Sequence, residues 1–163
     1  MTGDLMRSNS VAEMQATVEN YFAELARLPD QTVVTGRDGA EMTMAELFPI
    51  MCERFARHRD GAGKLMFVGN GASASIASHM ALDFSKNGKV PALAFNDAAA
   101  LTALSNDEGY DQDFAKQIEY FAAEGDLLVA ISSSGNSENI IKSVLAARAK
   151  NCDVLTLSGL GAK

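Results

Sequence analysis

The chain has 163 residues, 47% apolar and 21% charged, which fits one globular domain with a sizeable core. A net charge of −7 argues against nucleic acid or an anionic membrane as partner, and it leaves any bound anion to local dipoles instead of a general positive field. No stretch approaches the roughly 20 apolar residues of a membrane span, and MTGDLMRSNS lacks the apolar core of a signal peptide, so a cytoplasmic protein is expected.

Ser10-Val11-Ala12-Glu13 is a capping box that opens a helix, and Pro29 is expected to close it. Along it Val11, Met14, Val18, Tyr21, Leu25 and Leu28 alternate steps of three and four, a narrow apolar seam. Such a seam packs against the chain's own domain or against another subunit; the pattern does not say which. Residues 29 to 42 hold two glycines and no sustained period, and read as a loop. Thr43-Met44-Ala45-Glu46 is a second capping box, starting a helix to about Arg57 with Met44, Leu47, Phe48, Met51 and Phe55 inward. His58, between two arginines at that helix end, reads as solvated. Cys52 and Cys152 have neither metal nor redox spacing and read as buried free thiols.

Beyond residue 60, strand candidates at Lys64 to Val68, Val90 to Phe95, Asp126 to Ile131 and Asp153 to Leu157 alternate with helices. This alternation predicts an α/β fold with a parallel sheet and helices on both faces, preceded by the N-terminal helices. Residues 1–59 are thus read as a helical region and 60–163 as the α/β domain. Two helices, near 98 to 104 and 110 to 123, fall between the second and third strands, and Asn106-Asp107 reads as the cap of the latter.

Two strand-to-helix turns carry the chemistry. After the apolar run Leu65 to Val68 comes Gly69-Asn70-Gly71-Ala72-Ser73, where glycines admit close approach of the backbone and the next helix offers N–H groups to an anion. After Asp126 to Ile131 comes Ser132-Ser133-Ser134-Gly135-Asn136-Ser137, a cup of hydroxyls that holds phosphate without Lys or Arg. The helix after this cup should bury Ile140, Ile141, Val144 and Leu145. Serines at a helix start also serve as plain caps, but two adjacent anion sites favour a phosphorylated ligand. His79 and Asp83, four residues apart on the helix leaving the first turn, place an imidazole and a carboxylate on one face. Asp97 comes just after the second strand and reads as an N-cap for the helix near 98 to 104.

The stretches GNGASASIASHMALDF, LTALSNDEGYDQDF and GDLLVAISSSGNSENII, in this order over residues 60 to 160, resemble the sugar isomerase (SIS) domain, and among its members the phosphoheptose isomerases. The resemblance implies a three-layer, flavodoxin-like sandwich assembled into homotetramers through N-terminal helices. It implies that Ser73, Ser132, Ser134 and Ser137 hold the sugar phosphate, that Ser133 stands where a phosphate-facing Thr is usual, and that Asn70 and Asp97 face the sugar; Gly71 and Ala72, with Asn70 and Ser73, are read from the turn itself as the first anion cup. Asp83 falls at the catalytic acid/base position, where the family has Glu, and Asn87 where it has Arg. Some members bind zinc through the positions of His79 and Asp83 with a Gln and a His from a C-terminal helix. The family's fifth strand and C-terminal helix, which carries a second catalytic His, have no counterpart up to Lys163, so the 163-residue polypeptide alone is expected to be inactive.

The expected reaction is conversion of sedoheptulose 7-phosphate to D-glycero-D-manno-heptose 7-phosphate, for lipopolysaccharide or capsule, without a nucleotide cofactor. The alternatives are a non-catalytic SIS module that binds a sugar phosphate, and a dinucleotide-binding domain suggested by the Gly69-Asn70-Gly71-Ala72-Ser73-Ala74 match to G-x-G-x-x-A. The Ser-rich turn has no role in a dinucleotide fold.

Overall fold

The structure is a computed structural model that describes residues 10–61 and 63–159. The N-terminal stretch without a signal-like core and the end of the turn that begins at Ser158 lie outside those residues. By internal packing the chain divides into two units, Met1–Ile50 and Met51–Lys163.

In the first unit, helix α1 (Val11–Gln31) starts at the expected capping box, with Ser10 and Glu13 bonded reciprocally. It runs two residues past Pro29, because a proline costs one intrahelical bond but its φ suits a last turn. None of its residues is buried; Val11, Val18 and Tyr21 of the seam are more than half exposed. The segment read as a loop contains a short hairpin, β1 (Val34–Thr35) against β2 (Glu41–Met42), closed by Gly36 and Gly39.

Helix α2 (Met44–Arg59) begins in this unit at the Thr43–Glu46 capping box. Phe48, expected inward, is 58% exposed: a period of three and four marks an apolar stripe without saying what covers it. The division of units falls within α2, earlier than residue 59, because its second half is bound into the second unit. There Arg54 pairs with Asp153, and the Phe55 ring lies 4.8 Å from that of Phe84. His58 is buried, not solvated, with Nδ1 2.6 Å from the Arg54 carbonyl and Nε2 3.0 Å from that of Gly125. Cys52 is exposed and Cys152 half-buried; both thiols are free.

The second unit is built on a parallel sheet of four strands: β3 (Leu65–Gly69), β4 (Ala92–Ala94), β5 (Leu127–Ile131) and β6 (Asp153–Leu157), in the order β4-β3-β5-β6. The continuous apolar runs in β3 and β5 reflect burial on both faces. Met66, Val68, Leu128 and Ala130 point to one face and join a core with Phe114 and Ile118 of helix α5 (Asp113–Phe121) and Ile140 and Ala147 of α6 (Glu138–Ala149). Phe67 points to the other, its ring 5.8 Å from Phe84 of α3 (Ala72–Lys86). Helices on both faces make the expected three-layer α/β arrangement.

Between β4 and β5, helix α4 (Ala98–Asp107) runs farther than expected, so Asn106 and Asp107 end it instead of capping the next helix; Gly109 stands before the single turn at Tyr110–Gln112. On α6 the buried stripe is Asn139, Ile140, Ser143 and Ala147, whereas Ile141 and Leu145 are 44% and 58% exposed. Two buried polar residues displaced the face that hydrophobicity alone predicts. Ser143 satisfies its hydroxyl on the Ile140 carbonyl at 2.7 Å; Asn139 is bonded across the site.

Candidate functional site

From β3 the chain steps outward to β4, and from β5 it steps the opposite way to β6, so β3 and β5 flank the topological switch point of the sheet. The crevice beyond the C-terminal ends of such strands is where open α/β sheets bind ligands. Gly69 is the register partner of Ile131, so the Asn70 and Ser132 turns leave neighbouring strands at the same level.

In the first turn Gly69 is required by space: a Cβ there would lie 2.7 Å from the backbone carbon and oxygen of Ser73. Gly71 adopts φ +56°, which favours glycine, and α3 begins at the next residue. The Ser73 N–H is bonded to Asn70 O, and those of Ala74 and Ser75 to Gly71 O. Gly71 and Ala72 thus bring the earliest N–H groups of the helix to the crevice, where the helix dipole adds to their attraction for an anion.

The second turn gathers hydroxyls. Buried Ser132 donates from Oγ to Ser137 Oγ at 3.2 Å and lies 3.5 Å from Ser134 Oγ. Ser137 occupies the N-cap position of α6, yet its side chain caps nothing. Its oxygen is turned to Ser132, which counts against a plain capping role. Ser134 accepts from Asn136 N at 3.2 Å, and Gly135, at φ +69°, closes the turn onto Ser132 O. Ser133 is exposed and bonded through its carbonyl to Gly159 N; its hydroxyl has no bond to the other three serines.

A network that no motif in the sequence announced ties the turns together. Asn70 and Asn139 are paired amide to amide, each Nδ2 2.9 Å from the other's Oδ1. Tyr110 donates to Asn70 Oδ1 at 3.0 Å, and Asn139 Nδ2 also reaches Asp113 Oδ1 at 3.3 Å. Burial pushes the Asp113 carboxyl above the usual carboxylate range, against the opposite pull of the Phe114 N–H and the Asn139 amide. Beside Tyr110, Asp111 pairs with Lys142 of α6, whose ammonium holds that carboxyl below its ordinary value. The available signal was Asn139 itself, a polar residue where helical spacing with Ser143 and Ala147 points inward.

His79 and Asp83 do meet, Nε2 to Oδ2 at 3.3 Å, on an exposed face of α3, and Asn87 donates to Asp83 Oδ1 at 3.2 Å. Neither is hydrogen-bonded or ion-paired to a serine turn, and ten helical residues put Asp83 about 15 Å along the axis from Ser73. Asp97 caps α4, accepting from Ala100 N at 2.9 Å, while Asn96 beside it donates to Ala74 O and Ser78 Oγ of α3. Among the described residues no three His, Cys, Asp or Glu side chains gather as a metal site, and no helix is long and apolar enough to cross a membrane.

Residues 20–159 match the SIS domain family. A phosphoheptose isomerase of Yersinia pestis is 35% identical over 98% of this chain and 76% of its own length, and one of Solidesulfovibrio magneticus is 41% identical over 71% of this chain. The match spans 59% of the Solidesulfovibrio protein and 62% of the Campylobacter concisus phosphoheptose isomerase. Among solved structures, the phosphoheptose isomerase of Neisseria gonorrhoeae superposes with a TM-score of 0.66 at 33% identity, covering 89% of this chain and 74% of that one. That of Francisella tularensis gives 0.73 at 25% identity, covering 92% and 75%.

Proposed function

This chain belongs to the SIS domain family, and on that premise we propose that it is an aldose-ketose isomerase converting sedoheptulose 7-phosphate to D-glycero-D-manno-heptose 7-phosphate. The observation that carries this reading is the convergence of the Ser132, Ser134 and Ser137 hydroxyls at the start of α6, level with the start of α3. Two helix N-termini and three hydroxyls supply the donors a phosphate ester needs, with no cationic side chain required.

Asp83 is assigned the proton transfer. Its carboxylate takes a proton from C1 of the ketose, the C–H electron pair becomes the C1–C2 double bond of an enediol, and the C2 oxygen gains a proton. Return of the proton to C2, with loss of the O1 proton to solvent as C1–O1 becomes the carbonyl, balances the proton gained by the C2 oxygen and gives the aldose. His79 and Asn87 hold the two oxygens of the carboxylate in place. Zinc takes four ligands, and His79 with Asp83 would supply two of them, so the described residues do not form a complete zinc site.

We further take the protein to work as a homotetramer in the cytoplasm, supplying heptose for surface polysaccharide. Assembly is supported by α1, whose apolar seam is left unburied by the described residues. A second reading, a non-catalytic sugar-phosphate-binding module, is favoured by the distance of Asp83 from the turns and by its being one C–C bond shorter than Glu.

Calorimetric titration tests the shared part. The chain should bind sedoheptulose 7-phosphate but not sedoheptulose, and Ser132→Ala with Ser134→Ala should weaken binding at least about 10-fold. In deuterated water, Asp83-dependent entry of deuterium into C1 of the ketose, a half-reaction that needs only the first proton transfer and not the full turnover this polypeptide is expected to lack, selects the isomerase; binding without exchange selects the module. No binding of the sugar phosphate overturns both.

A further inference from the structure

The amide pair at the crevice can be traced donor by donor, because it is anchored on a group whose polarity is not in question. The backbone N–H of Ile140 points at Asn139 Oδ1 at 3.0 Å, and an N–H must meet an acceptor, so the orientation of the Asn139 amide is set. Its two N–H bonds then go to Asn70 Oδ1 and Asp113 Oδ1, and its oxygen takes Asn70 Nδ2 as a second donor. Asn139 is buried and fully engaged.

The orientation of Asn70 is set in turn. Reversed, it would face Asn139 donor to donor and acceptor to acceptor. As placed, Asn70 Oδ1 receives both Asn139 Nδ2 and the Tyr110 hydroxyl, which uses its two lone pairs. One N–H of Asn70 goes to Asn139, and the other has no hydrogen-bond partner among the described residues.

We propose that Asn139 is a positioning residue that locks Asn70 so that a bound sugar phosphate meets a single N–H donor and no acceptor from that side chain. The ligand atom opposite Asn70 is then an oxygen presenting a lone pair, as a carbonyl or enediolate oxygen does, not a hydroxyl used as donor. Asp113 supports the lock by taking the second Asn139 N–H, and the rise in its carboxyl reflects what burying that acceptor costs. This inference rests on the sugar-phosphate reading of the crevice.

The test is calorimetric, with sedoheptulose 7-phosphate and inorganic phosphate as probes. Asn139→Leu, which keeps the branching of Asn but removes its donors and acceptors, should weaken the sugar phosphate about 10-fold and inorganic phosphate no more than about 2-fold, because only the former reaches Asn70. Asn70→Ala should show a loss of the same size, and adding Asn139→Leu to it should change affinity by less than about 2-fold, as for residues acting through one bond. Equal loss for both probes, additive losses, or an unchanged Asn139→Leu variant overturns the proposal. A measurement on the wild type guards against a variant that fails to fold. In its 1H–15N spectrum, one of the two Asn70 side-chain protons should shift with sugar phosphate while the Asn139 pair stays, and movement of the Asn139 pair overturns the lock. Failure of the wild type to bind sugar phosphate overturns the functional reading and this inference with it; binding with unaltered Asn139→Leu affinity removes only the latter.

Discussion

Asn70 and Asn139 meet amide to amide at 2.9 Å in both directions, joining the turn after β3 to the first residues of α6. The two helix starts are therefore tied to each other, held at matching height by the Gly69–Ile131 register and clasped by polar groups of which Asn139 and Asp113 are buried. Buried amides that satisfy one another specify a single arrangement, since any other leaves donors or acceptors unpaired in the interior.

Gly69→Ala tests how closely strand and helix must approach. The added Cβ would sit 2.7 Å from backbone atoms of Ser73, which cannot yield as a flexible side chain does. The variant should lose about 1–3 kcal/mol in urea unfolding, and sugar-phosphate affinity should fall with it. Unaltered stability and affinity would show that α3 can shift freely against β3.

Asp126 is nearly fully buried ahead of β5, where it accepts from the backbone N–H groups of Lys64 and Ala123 and pairs with the Lys64 ammonium. Removing it as Asp126→Ala strands all three, and a loss of about 3–5 kcal/mol in unfolding free energy, read by urea denaturation, is expected. The site is not involved, so the folded variant should bind ligand as the wild type does.

Asp113 gives stability a pH signature. Its folded carboxyl is raised above the unfolded value by burial, so the native state binds the proton more tightly and this group's contribution to stability falls as pH rises from the unfolded value through the folded one. Asp113→Asn removes that titration while keeping an oxygen for Asn139. Its stability relative to wild type should climb between about pH 4 and neutrality, read from urea midpoints across that range. A difference that stays flat, or slopes the other way, contradicts the assignment.

The two thiols should be told apart by alkylation. Cys52 is exposed on α2, whereas Cys152 is partly covered, donates to Ala123 O at 3.3 Å, and is pushed up in pKa by burial. Iodoacetamide under native conditions should modify Cys52 well before Cys152, as peptide mass mapping would show, and denaturant should erase the difference.

Much of this protein is written locally. Continuous apolar runs identified the buried strands, capping boxes set where α1 and α2 begin, and glycine and serine after β3 and β5 marked the turns, because each depends on residues close together in the chain. Where local rules failed, distant partners were responsible. His58 is buried because the Gly125 carbonyl closes over it, and α6 turns Asn139 inward because Asn70, 69 residues earlier, completes its hydrogen bonds. What the sequence determined by itself is an alternating α/β chain with two turns rich in glycine and serine; only the tertiary structure decided that these turns adjoin at the switch point and how their side chains pair. Strand order and amide orientation are set by pairing between segments far apart in sequence, and no local pattern encodes that pairing.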